Sequence, residues 1–124
     1  MEARKPTTDP WVLGNLQVRP ELDQFSSDRS QGIITIESTN PDFAGAIEDL
    51  RSAKARELAL AYGASQGVVN SGIDGNVAAF PVNSQGVPLD KVSGPNGQPL
   101  PPAHPLRAVS AYRAMIKIRR NSLR

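Results

Sequence analysis

The chain contains no cysteine. That one absence removes disulfides, thiolate nucleophiles and Cys-based zinc sites together. Histidine occurs once, at His104, so no pair of imidazoles is available to share a metal. Aromatic residues are scarce: one Trp, two Tyr and three Phe in 124 residues. No apolar run approaches the ~20 residues of a membrane-spanning helix. The opening Met1-Glu2-Ala3-Arg4-Lys5-Pro6 has no apolar stretch behind it, so it does not read as a secretory leader. The expectation is a soluble chain made in the cytoplasm.

Proline and glycine are plentiful, at 11 and 10 residues, and cut the apolar supply into short pieces. Ordering a backbone costs roughly 1–2 kcal/mol per residue. With 39% hydrophobic residues, a large single core is not expected, and a partner surface would supply the missing burial. Net charge is +2 but unevenly placed. From Arg107 onward there are six basic residues and no acid. The rest of the chain carries eight basic and twelve acidic side chains.

The pattern along the chain predicts an α+β fold with much irregular structure. Residues 1–32 read as an extended arm, interrupted by prolines at 6, 10 and 20, with Trp11 as its largest apolar group. A strand-helix-strand segment follows over 33–82. Ile33–Glu37 is β-branched and is the best strand signal, read as a short edge strand able to pair within the chain or to extend a partner's sheet. Asn40-Pro41-Asp42 reads as a helix start, Asn capping and Pro at the first position. It opens a helix over 41–62, with Gly63 as its terminator and Gly67 as a second stop. Residues 77–82 read as a short strand that Pro81 confines to an edge. Residues 83–104 form a Pro/Gly-rich strap. Residues 105–124 carry a basic amphipathic helix over 105–120, with Leu106, Val109, Tyr112, Met115 and Ile116 on one face and Arg113, Lys117 and Arg120 on the next.

Chemistry-bearing motifs are missing. There is no phosphate-binding Gly-x-x-x-x-Gly-Lys-Ser/Thr, no Gly-x-Gly-x-x-Gly and no Gly-x-Ser-x-Gly elbow. Asp74-Gly75-Asn76 opens like a calcium loop, but Ala78, Phe80 and Gln85 stand where further ligands belong. Glu48 and Asp49 are adjacent on a helix and do not face each other. No catalytic, cofactor-binding or metal-ligating set is expected.

Function is therefore expected to lie in interaction. The anchors that could meet other proteins of an assembly, or other copies of this chain, are Trp11, Ile34, Ile36, Phe43, Ile47, Leu50, Tyr112 and Met115. Arg113, Lys117, Arg119, Arg120 and Arg124 would meet phosphates or acidic partner groups. This anatomy is similar in character, though in no motif, to small accessory proteins of viral particles such as cement or minor capsid proteins. That likeness would place the chain in a virion. A nucleic-acid-associated protein using the basic C-terminal helix is the alternative, and a small inhibitor or enzyme the third reading. Membrane attachment is disfavoured, because the apolar face of that helix lacks Trp and Phe.

Overall fold

A computed structural model describes residues 11–94 and 97–121. Two helices pack on one face of a seven-stranded antiparallel sheet. The axis of the sheet is a long hairpin-like pair, β4 (Gln31–Ser38) and β7 (Ala111–Arg120), in register from Gln31↔Arg119 to Ser38↔Tyr112. Beyond β4 lie β2 (Leu16–Val18) and β3 (Gln24–Phe25), end to end along its length. β1 (Val12–Leu13) pairs outside β2. Beyond β7 lie β5 (Ser71–Ile73) and β6 (Ala79–Val82). Helices α1 (Phe43–Arg51) and α2 (Ala53–Ser65) connect β4 to β5.

Alternation explains both central strands. Successive residues of a strand point to opposite faces. Ile34, Ile36 and Ser38 on β4 and Tyr112, Ala114, Ile116 and Ile118 on β7 point to the helices and are buried. Ala46 and Leu50 from α1, and Ala55, Leu58, Ala59 and Tyr62 from α2, meet them in one core of fifteen buried residues. The expectation that no large single core would form is thus corrected. Alanine lets α2 lie close to the sheet, so burial is reached with few large side chains.

The basic helix expected over 105–120 is a single turn of 3-10 helix at Pro105–Arg107 followed by β7. The even positions 112–118 are Tyr, Ala, Ile and Ile, and the odd positions 113, 117 and 119 are basic, which is a period of two. Only Met115 blurs it. Backbone groups of β7 are satisfied by partners on both sides, β4 on one and β5 and β6 on the other. That tertiary pairing outweighs the helix propensity of Ala, Arg and Met.

The helix expected over 41–62 is two helices. Ser52 is extended (φ −72, ψ 162) and turns the chain. Its hydroxyl donates to the Asp49 carbonyl at 2.6 Å and accepts from Ala55 N at 3.3 Å, so one side chain closes α1 and caps α2. Asp42 rather than Asn40 caps α1, accepting from Gly45 N at 2.8 Å. Asn40 supports it by accepting from Asp42 N at 2.9 Å. Gly63 does not stop α2. The helix ends at Ser65, and Gly67 (φ +104) takes the left-handed position. Val68 N donates to the Gly63 carbonyl at 2.9 Å and Gly67 N to Ala64 at 3.1 Å, closing the helix end in a Schellman arrangement.

The part of the expected N-terminal arm that is described, 11–32, belongs to the sheet. Leu13 and Leu16 flank a two-residue turn with Gly14 at φ +62, and the resulting hairpin delivers Leu16 and Val18 to the core. Trp11 is half-buried with its ring edge-on to Tyr62 at 5.3 Å. The strap after β6 is held by Asn83, which is buried. Its carboxamide donates to the Leu106 carbonyl and accepts from Gln85 N and Val87 N. The four sequence segments therefore contribute to one sheet and its coverings.

Candidate interaction surface

Among the described residues, the outer side of α1 and the sheet face opposite the helices each carry an exposed apolar residue that the sequence singled out, Phe43 and Met115. On α1, Ala46 and Leu50 point inward. Positions a turn apart point outward, and Phe43, Ala44, Ile47, Glu48, Arg51 and Ser52 line a shallow open depression. Phe43 is 59% exposed. Its ring is nevertheless held in place against Tyr112, 5.2 Å between centroids and 60° between planes. Glu48 and Arg51 rim the depression, are exposed, and enter no ion pair among the described residues.

The sheet face opposite the helices holds Arg113, Met115, Lys117 and Arg119 on β7 and Ile33, Thr35 and Glu37 on β4, and it is partly covered: Thr35 is buried and Arg113 and Glu37 nearly so. Met115 is 42% exposed at its middle. The cations around it are largely engaged. Arg113 Nε donates to Glu37 Oε1 at 2.8 Å and its Nη1 reaches the Gly86 carbonyl at 3.3 Å. Arg19 shares the same Glu37 at 4.0 Å and pairs with Glu21 at 2.8 Å. Lys117 and Arg119 converge on Asp74 at 3.7 and 3.3 Å. Arg120 falls on the other side of the strand, its backbone N bonded to the Ser30 carbonyl. Arg124 lies outside the described residues. Strand alternation keeps Arg113, Lys117 and Arg119 on one face, with Met115 between them, and turns Arg120 to the other.

Of the anchors expected from sequence, Ile34, Ile36 and Leu50 are fully buried, and Tyr112 is 8% exposed. Trp11 packs on Tyr62. Phe43, Ile47 and Met115 remain at the surface. Sequence reasoning missed Ala44, Glu48 and Arg51. Their signal is the spacing 44, 48, 51, one helix face, which an unbroken helix over 41–62 obscured.

Two ionisable groups are shifted by their surroundings. Burial, and then the hydrogen bond from its hydroxyl to Asp23 at 2.5 Å, push Tyr62 up from 10.0 to about 12. Hydrogen bonds from the Ser30 hydroxyl and backbone and from the Ser26 hydroxyl hold the Asp28 carboxyl down at about 2. Each serves its own turn or packing contact. His104 Nδ1 accepts from Leu106 N at 3.1 Å and caps the 3-10 turn. Among the described residues, no three His, Asp or Glu side chains gather as metal ligands, and no helix is long and apolar enough to cross a membrane.

Compared with protein-family models, characterised proteins and solved structures, the chain matches none.

Proposed function

We propose that this chain is a non-enzymatic interaction protein, a component of a larger assembly that docks through the outer side of α1. The observation that carries the reading is Phe43: a large aromatic side chain, more than half exposed, packed on the Tyr112 ring beside Ile47 and Ala44. Removing the exposed part of this ring from water contributes about 1–2 kcal/mol. Aromatic anchors with little freedom to lose are the usual centres of binding energy at interfaces. Polar groups at the rim, Glu48 and Arg51, are free to select the partner. A particle accessory such as a cement or minor capsid protein remains the finer reading, and it rests on anatomy.

Phosphate binding by the basic strand is the weaker reading. Lys117 and Arg119 share Asp74, and Arg113 is bound to Glu37. Counterion release needs cations that are free to replace salt at phosphates.

The test is site-specific photo-crosslinking in the producing cells. A photoreactive residue placed at Ala44 is expected to give a discrete adduct that disappears when Ile47→Asp is added. The same group at Glu57, exposed on α2, is the control. Adducts equal at both positions, or none at Ala44, would sink the docking role.

A further inference from the structure

We infer that the occupant of the α1 depression is a second copy of this chain, paired through α1 in antiparallel fashion about a two-fold axis. The inference rests on the docking role proposed above and names its partner. A two-fold interface is self-complementary: each residue type on one side must find its complement on the same patch. The α1 face meets that condition. Its middle is apolar and partly small (Ala44 and Ile47), and its rim carries one acid and one base, Glu48 and Arg51, neither used within the described chain.

The spacing sets the geometry. An axis near Ile47 places Arg51 of each copy across from Ala44 of the other, one helical turn (about 6 Å) from the opposing Glu48. An arginine side chain spans that distance, so two Glu48–Arg51 pairs form, related by the axis. Ala44 at the crossing lets helix axes approach to the short end of the usual ~8–10 Å. Phe43, braced on Tyr112, closes each end of the contact and excludes water from the pairs. A different partner would need no such symmetry of charge on a patch nine residues long.

Sedimentation velocity on the purified full chain, from micromolar to submillimolar concentration, tests this. The parent is expected to shift from monomer toward dimer. Glu48→Arg sets like charges together twice, as does Arg51→Glu, so either change alone weakens the dimer about tenfold or more. The double variant E48R/R51E restores it. An equimolar mixture of the two single variants forms a heterodimer more readily than either variant self-associates. Far-ultraviolet circular dichroism confirms that each surface variant is folded. A parent that stays monomeric, a dimer indifferent to both reversals, or a mixture that shows no recovery overturns the inference. A monomeric parent that still crosslinks from Ala44 to another protein removes self-pairing and leaves the docking role standing. Monomers with no adduct remove both.

Discussion

Gly63 sits in the third turn of α2 against the sheet, where propensity and packing oppose each other. A Cβ built there would enter the van der Waals envelope of Ile118 Cδ1 and lie 3.3 Å from Ile34 Cδ1. Both isoleucines are fully buried. On propensity alone, Gly63→Ala would stabilise the helix by up to about 1 kcal/mol. Forcing a methyl into a closed core costs about 1–3 kcal/mol. Because Ile118 has no exposed direction into which to swing, packing should at least offset the gain, and G63A should be less stable by up to about 2 kcal/mol. Ile118→Val removes the clashing methyl and should alone cost about 0.5–1.5 kcal/mol. In the double variant the new methyl occupies the space that Cδ1 leaves. The two changes should therefore couple favourably by at least about 1 kcal/mol rather than add. Urea denaturation of the four proteins, at constant m-value, measures the cycle. G63A more stable than the parent, or coupling under about 0.5 kcal/mol, would refute the close approach of α2 to β7 and the reason glycine stands at this position.

Tyr62→Phe leaves the Asp23 carboxylate without its 2.5 Å donor and should cost roughly 1–3 kcal/mol near neutral pH. The folded chain keeps the Tyr62 proton to about 12 while the unfolded chain releases it near 10.0, so parental stability should fall as pH rises through that window. Denaturation at stepped alkaline pH should show a shallower fall for Y62F; equal slopes would rule out the shifted phenol. Asn83→Ala removes three hydrogen bonds: two that close the 83–87 turn, from Gln85 N and Val87 N, and one that ties it to the Leu106 carbonyl in the 3-10 turn. Amide exchange at Gln85 and Val87 should rise while Ile34 and Ile116 keep their protection; unchanged exchange at Val87 would show that Asn83 does not organise the strap.

Local chemistry was legible wherever one or two residues decide the backbone. Pro81 marks an edge strand, but the helix runs past Gly63, the expected stop, and closes at Gly67, and Ile33–Glu37, expected at an edge, lies in β4 with partners on both sides. The candidate site was half legible. Phe43 and Ile47 were expected as anchors, whereas Ala44, Glu48 and Arg51 emerged only when Ser52 broke the helix and fixed which side of α1 faces out. Ile34, Ile36 and Leu50 were offered to a partner because fifteen scattered apolar residues did not look like one core. A core is a property of distances, and the chain alone does not state which short pieces meet.

The sequence by itself determined that no thiol or disulfide chemistry is present and that Pro81 stands on an edge strand, because each follows from the identity of a single residue; the caps at Asp42 and Ser52 and the two-residue period of the last strand are not legible in it. Only the tertiary structure decided that residues 111–120 are extended. Strand and helix periods both fit an apolar-basic stretch of that length, and the choice falls to partners far along the chain. β4 pairs it on one side, and β5 and β6 satisfy its backbone on the other. The same long-range pairing placed Arg113 on Glu37, across seventy-six positions of sequence, and Lys117 and Arg119 on Asp74. A charge cluster in one dimension thereby became a set of ion pairs in three, while Phe43 on α1 stayed more than half exposed.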